Sequence, residues 1–274
     1  MPTVTTAPSY MTPHAHADHE KFLVVKELSF RYGPVTALND VSFDLCEGER
    51  SAVVGPNGAG KSTLFKLIVG LLPPTSGSVR FRGRPAGERP PIASVPQRNE
   101  VDWRFPLTVR DVVMMGRTAH IGLLRRPSVE DRRVVEEALA HMRLDTLAHR
   151  QIGELSGGQQ QRMFIAQALA QQAEMVLMDE PLNGLDLTAQ QDVYEVLDYL
   201  RQRNVTVFVS THDLDEAARH FDRVMLLNCS LLDFDVPPRV FTPELLTAAY
   251  GAGLRLVQTD EGFLLVGEGG AAHG

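Results

Sequence analysis

Apolar and polar positions along this chain fall into short segments of two periods. Residues 23–31 and 37–45 read as β-type segments, with Gly33-Pro34 marking a turn between them. Residues 50–55 (RSAVVG) form a short apolar strand that runs into a glycine-rich turn. Residues 61–72 follow the helical period and meet Pro73-Pro74, which stops a helix. Residues 77–83 and 92–95 are again strand-like. Residues 108–116, 128–142 and 156–171 read as helices; the second opens on Ser128 with Asp131 three positions on, a variant of the capping box. Residues 174–178 are almost continuously apolar rather than alternating, as expected of a strand covered on both faces. A helix over 188–203, a buried strand over 205–210, a helix over 214–221 and a strand over 223–228 complete the series.

This β-α-β-α-β rhythm predicts a parallel α/β sheet with helices on both faces. Between Pro96 and Glu154 the strands give way to helices alone, which predicts an inserted helical subdomain. The chain has no internal repeat. Residues 1–21, rich in Pro, Thr, Ala and His and without periodicity, read as a mobile tail, with order beginning at Phe22.

Composition narrows the class. The chain has 274 residues, of which 43% are hydrophobic and 22% charged, enough to bury a core without disulfides or metals. A net charge of −7 argues against an electrostatic grip on nucleic acid or anionic lipid. No apolar run approaches the roughly 18 residues of a spanning helix, and the first residues lack the basic and apolar regions of a signal peptide. Cys46 and Cys229 are far apart in sequence and form no CxxC, which suits a reducing compartment. The expectation is a soluble, cytoplasmic protein that acts at a membrane only through a partner.

The chemistry begins at Gly55-Pro56-Asn57-Gly58-Ala59-Gly60-Lys61-Ser62-Thr63, which matches the phosphate-loop pattern G-x-x-x-x-G-K-[ST]. Glycines let the backbone curl so that several N–H groups face one phosphate, and the following helix adds its positive end. Lys61 is placed to reach the β- and γ-phosphates, and the Ser62 hydroxyl to ligate Mg2+. A strand before the loop and a helix after it supply the required context. Downstream, the apolar strand ends in two adjacent acids, Asp179 and Glu180. At the C-terminal end of a parallel strand they would lie beside the phosphate loop. Asp179 suits the Mg2+ shell and Glu180 a general base acting on water.

Leu155-Ser156-Gly157-Gly158-Gln159 places a hydroxyl and two glycines at the start of a helix. An ordinary N-cap accounts for Ser156 but leaves both glycines unexplained. The segment resembles the LSGGQ signature of ATP-binding cassette (ABC) ATPases, and further motifs follow that family's order. Tyr32 is similar to the aromatic that stacks on adenine, Gln97 to the Q-loop glutamine, Asp186 in Asn183-Gly184-Leu185-Asp186 to the D-loop aspartate, and His212 to the switch histidine on the γ-phosphate. Gln97, with Ser62 and Asp179, is thereby expected near Mg2+. The remaining histidines His120, His141, His149 and His220 are expected on surfaces. Two departures are visible: Ala166-Gln167-Ala168 stands where the family has Ala-Arg-Ala, and the D-loop often reads Ser-Ala-Leu-Asp. Neither touches the catalytic set.

The resemblance covers about residues 23–250. It implies a P-loop NTPase with a RecA-like parallel-sheet core, an N-terminal antiparallel β subdomain, and a helical subdomain inserted at about 98–160. A domain over 22–250 would then be followed by a short extension over 251–274, frayed from residue 267. ATP and Mg2+ are the implied cofactors. A homodimer sandwiching ATP between the phosphate loop of one copy and LSGGQ of the other is the implied assembly. The implied partners are a membrane permease and a metal-binding substrate-binding protein, with no nucleic acid, at the cytoplasmic face of the membrane. The stretch from Gln97 through Val101-Asp102-Trp103 and Phe105-Pro106 to Met115-Gly116-Arg117 is similar to ATPases of bacterial manganese, zinc and iron importers, with manganese favoured. Haem, siderophore or export cassettes, or a non-transport ABC ATPase, are the alternatives. Trp103 and Phe105 would either dock the permease or anchor the helical subdomain. His14, His16 and His19 with Asp18 could chelate a metal, but a polar tail explains them as well.

Overall fold

A computed structural model describes residues 21–84, 92–96, 101–122 and 125–251, together with the backbone of two strands beyond them. In chain order the elements are β1 (Lys21–Tyr32), β2 (Val35–Cys46), β3 (Arg50–Val54), α1 (Lys61–Val69), β4 (Ser76–Phe81), β5 (Ile92–Val95), α2 (Val109–Met115), α3 (Thr118–Ile121) and α4 (Val129–His141). There follow α5 (Gly157–Ala170), β6 (Met175–Asp179), α6 (Leu187–Gln202), β7 (Thr206–Ser210), α7 (Leu214–His220), β8 (Arg223–Asn228), β9 (Ser230–Asp235), α8 (Pro237–Val240), α9 (Pro243–Tyr250), β10 (Leu254–Thr259) and β11 (Gly262–Gly267).

Six strands form the central sheet in the order β5-β6-β7-β3-β8-β9. All neighbours are parallel except β8 and β9. The antiparallel edge strand β9 departs from the all-parallel expectation; it turns back directly after Asn228, so no crossover helix is needed. A second sheet, β2-β1-β4, is antiparallel throughout. Strands β10 and β11 pair as a separate antiparallel hairpin, within the extension expected after residue 250.

The central strands read as unbroken apolar runs because each feeds two cores. Met175 and Leu177 join Val53, Phe208 and Leu227 in a cluster shared with α1 and the antiparallel sheet. Val176 and Met178 join Ala52, Val54, Val207 and Val209 in a cluster shared with the helices of the other face. Phe208, fully buried, packs against Phe43 and Phe65 with ring centroids 5.8 and 5.3 Å away, fastening both sheets and α1 together.

Helix α1 ends earlier than the prolines suggest. Gly70 adopts a left-handed C-cap at φ 79°, and its amide bonds Lys66 and Leu67 carbonyls. The helical insertion carries α2, α3 and α4 and the beginning of α5. Thr108, Ser128 and Ser156 each form a reciprocal capping box at the start of α2, α4 and α5. Arg117 ties the insertion together. Buried, it pairs with Asp131 at 3.0 Å and donates to the Ala170 carbonyl and Gln172 Oε1, each at 3.0 Å. The Ser128 hydroxyl and amide, with the Arg117 guanidinium, hold the Asp131 carboxyl down at about 2.

Candidate nucleotide site

Three neighbouring strands, β6, β7 and β3, deliver their C-terminal ends to one edge of the sheet. The segments that follow them carry most of the chemistry. After β3, the loop from Gly55 to Gly60 turns into α1. Gly60 is the N-cap at φ 97°, with no side chain capping the helix, so the first-turn N–H groups are left for a ligand. A β-carbon at Gly60 would lie 2.5 Å from the Ala37 carbonyl and 2.6 Å from Leu38 Cδ2, so only glycine lets α1 start this close to β2. Pro56 is half-buried, Asn57 and Gly58 are exposed, Ala59 is buried, and Ser62 and Thr63 are half-buried.

Lys61 is 7% exposed and folds back over the loop, donating to the Gly55 carbonyl at 2.7 Å and the Pro56 carbonyl at 3.2 Å. Burial pushes its pKa below the usual lysine value, opposed by the nearby Glu180 and Asp179 carboxylates. An ammonium in that state gains from anionic oxygen ligands.

After β6, the Ser210 hydroxyl donates to Asp179 Oδ1. The Glu180 amide donates to the Ser210 carbonyl at 3.1 Å and to its Oγ at 3.0 Å. Glu180 sits at φ 48°, in the left-handed region that a residue with a β-carbon enters at a cost of about 1–2 kcal/mol. Such strain concentrates at functional positions. Asn183 Nδ2 donates to Glu180 Oε2 at 3.1 Å, so the D-loop holds this carboxylate directly. Asp186 caps α6 by accepting from the Ala189 amide at 2.8 Å.

After β7 comes exposed His212. It shares with Glu180, Asn183 and Gly184 the lining of a cavity of about 150 Å³. A larger cleft of about 420 Å³ brings Glu180 and Asn183 together with Gly157, Gln160, Trp103 and Phe164. The structure thus gathers Lys61, Asp179, Glu180 and His212, and it connects Gly157 of the signature to Glu180 through the cleft. Ser156 is exposed and serves as an N-cap, accepting from the Gln159 amide at 3.4 Å while Gln159 Oε1 accepts from the Ser156 amide at 3.0 Å. Leu155 is buried in the helical core. The second glycine acquires a reason: a β-carbon on Gly158 would meet that of Ala189 at 3.0 Å, where α5 crosses the start of α6. Tyr32 is 49% exposed at the end of β1, its ring edge-on to Phe30. Gln97 and the histidines of the N-terminal tail lie outside the described residues.

Trp103 packs edge-to-face on Phe164 at 5.9 Å while also lining the cleft, whereas Phe105 is 57% exposed. The first therefore anchors the subdomain and the second remains on its surface. His120, His141 and His149 are exposed as expected, but His220 is half-buried and stacked on Tyr194. Its ring lies against α6, and burial lowers its pKa. Cys46 and Cys229 are both free thiols.

Some residues escaped the motif reading. Ser210 had a signal, a hydroxyl directly after the apolar run Val207-Phe208-Val209 at the end of a buried strand. Tyr250, at the end of α9, lies against the Gly55 backbone, with burial pushing its hydroxyl up to about 12. Nothing local in the sequence connects it to a loop so far upstream.

A mainly parallel sheet with a phosphate loop after β3, paired acids at the end of β6 and an inserted helical lobe defines a P-loop ATPase of the cassette type. The family model "ABC transporter" matches residues 38–183. The chain belongs to the ABC transporter ATPase family, whose members bind and hydrolyse ATP. It is 45% identical over 231 residues, 84% of this chain and 92% of the relative, to the manganese transport system ATP-binding protein MntB of Halalkalibacterium halodurans. It is likewise 45% identical, over 83% of this chain and 86% of the relative, to the zinc transport system ATP-binding protein TroB of Treponema pallidum. Among solved structures, a chain of an inward-facing ABC transporter of proposed metal-chelate type superposes with a TM-score of 0.77 at 34% identity, covering 89% of this chain and 96% of that one. Among the described residues no helix is long and apolar enough to cross a membrane.

Proposed function

We propose that this chain is the ATP-hydrolysing subunit of an importer for divalent metal ions, manganese in first place and zinc or ferrous iron next. The observation that carries this is the convergence of Lys61, Asp179, Glu180 and His212 on one sheet edge, in a chain 45% identical to manganese and zinc transport subunits.

In this reading Lys61 exchanges the Gly55 and Pro56 carbonyls for phosphate oxygens, joined by the N–H groups of the loop and of the first turn of α1. Tyr32, half exposed at the end of β1, stacks on the adenine. Ser62 and Asp179 are hard oxygen donors of the kind that hold Mg2+, with Gln97 as a further expected ligand. Bound there, the ion would neutralise charge on the transferring phosphoryl group. Glu180, steered by Asn183 and by the bonds of its amide to Ser210, takes the proton of the attacking water. His212 reaches the γ-phosphate.

A second copy brings its Ser156, Gly157, Gly158 and Gln159 to the same ATP, so the working unit is a homodimer beneath a permease, on the cytoplasmic face of the membrane. A metal-binding substrate-binding protein delivers the ion. The cleft lined by Trp103 and Phe164, with exposed Phe105 on the same segment, receives the permease.

Two experiments test the proposal. Glu180→Gln should keep ATP affinity and accumulate an ATP-bound dimer with turnover reduced by about 100-fold or more. Turnover at the wild-type rate would show that Glu180 is not the base. Uptake of manganese, zinc and iron, measured together in a deletion strain, should fall for manganese first. Unchanged uptake of all three would reject metal import.

A further inference from the structure

Behind the exposed His212 ring runs a chain of hydrogen bonds that the nucleotide chemistry leaves unused. Thr211 Oγ1 accepts from the Asp213 amide at 3.1 Å and donates to Glu216 Oε2 at 3.2 Å. The Glu216 carboxylate also takes the hydroxyl of Tyr194. Tyr194 stands two turns into α6, the helix capped by the D-loop residue Asp186. Its ring stacks on His220, at the far end of α7, with centroids 3.7 Å apart and planes 17° from parallel. Asp213 Oδ1 accepts from the amides of Asp215 and Glu216 at 2.9 and 3.0 Å, which fixes the first turn of α7.

One carboxylate therefore joins the loop before His212, the helix after the D-loop, and α7. Its position is not that of a solubilising surface acid. Glu216 is half-buried, and burial with the neighbouring Asp213 charge pushes its pKa up, opposed by bonds from Thr211 and Tyr194 and by the His212 ring. Partly burying a carboxylate in this way costs free energy that an exposed helix position avoids. Glu216 also lines the small cavity bounded by Glu180 and His212. A shift of Glu216 moves the wall against which both face.

We propose that Glu216 is a positioning residue for His212. By tying Thr211 to Tyr194 it sets the imidazole relative to Glu180 and makes the switch loop and the D-loop helix shift together. The proposal rests on His212 acting at the γ-phosphate, so the experiment includes a separate arm for that assignment.

ATP turnover and ATP affinity of the full chain are measured for His212→Ala, Glu216→Ala, Glu216→Gln, Tyr194→Phe and the Glu216→Ala/Tyr194→Phe double variant. Glu216→Ala should lower kcat about tenfold, the scale of a misplaced rather than a missing catalytic group, with ATP affinity within about twofold. Glu216→Gln should recover most of that loss, because its amide still accepts from one hydroxyl and donates to Thr211 Oγ1. The double variant should be no slower than Glu216→Ala, since both changes cut one chain.

If His212→Ala abolishes turnover while Glu216→Ala stays within about twofold of wild type, the positioning role is wrong and the switch assignment stands. Loss of ATP affinity in step with kcat, unrescued by glutamine, marks a merely structural role and also overturns the proposal. Wild-type turnover in His212→Ala removes the switch assignment, and the proposal with it. Should Glu216→Ala fail to fold, Tyr194→Phe carries the test: a fall in kcat of about threefold at unchanged affinity supports the role, and wild-type kcat opposes it.

Discussion

Two glycines of the phosphate loop separate backbone strain from steric collision. Gly58 and Gly60 sit at φ 84° and 97°, so alanine at either is forced into a left-handed conformation. That costs about 1–2 kcal/mol, offset by roughly 0.4–1 kcal/mol because alanine restricts the unfolded chain. Around Gly58 nothing lies within 4 Å of the added carbon, so Gly58→Ala should lose about 1 kcal/mol and no more. Around Gly60 the same carbon meets the Ala37 carbonyl at 2.5 Å and Leu38 Cδ2 at 2.6 Å. The carbonyl belongs to β2 and cannot swing aside, and Leu38 is fully buried. Overpacking adds about 1–3 kcal/mol, so Gly60→Ala should lose about 2–4 kcal/mol in total. At about 2–4 °C per kcal/mol for a domain of this size, thermal unfolding should fall by a few degrees for Gly58→Ala and by roughly 4–16 °C for Gly60→Ala. Calorimetric melting of both variants, without nucleotide, is the assay. Equal melting temperatures for the two would refute the collision argument, because they share the strain and differ only in what the new carbon touches. ATP affinity of folded Gly60→Ala should also fall, since α1 must back away from β2 and carries its N–H groups with it.

Three further outcomes follow from the same geometry. Phe208→Ala empties the ring packed between Phe43 and Phe65 and should cost about 3–5 kcal/mol in denaturant unfolding; a loss below about 1 kcal/mol would show that the two sheets are not fastened there. The Asp131 carboxyl, held from its usual 3.8 down to about 2, contributes stability that is fully present above pH 3.8 and disappears as pH falls through about 2. Melting temperatures of wild type should therefore drop more steeply than those of Asp131→Asn across that window, and parallel curves would contradict the pairing. Lys61, with its pKa held below 10.5 by burial, should regain basicity when phosphate oxygens replace carbonyls, so ATP binding should take up protons on the alkaline side of neutrality below that value. Calorimetry in two buffers of different ionisation enthalpy measures the uptake, and zero uptake throughout would reject phosphate contact by Lys61.

What the sequence disclosed and what it hid divide along a physical line. Strands β3, β6, β7 and β8 were legible because burial on both faces makes their middles continuously apolar rather than alternating, and helices α2, α4 and α5 because their caps are written in adjacent residues. The phosphate loop and the Asp179–Glu180 pair were legible because their spacing is set by one ligand, local in the chain. Strand β9 was hidden: its residues are all half-buried, so no period stands out. The stacking of His220 on Tyr194 was hidden too, because it joins two helices across an intervening strand. Most of what holds the acids and the switch in place is of this second kind. Ser210 reaches Asp179 across 31 positions of chain, and Tyr194 reaches Glu216 between separate helices. Asn183 is the instructive exception. It lies three residues from Glu180, in a D-loop that departs from the commoner serine form, and its amide holds the carboxylate at 3.1 Å. A serine hydroxyl stops shorter than an asparagine amide. The departure therefore changes how the acid is held, so that a motif variant easily passed over as tolerated carries a contact at the centre of the site.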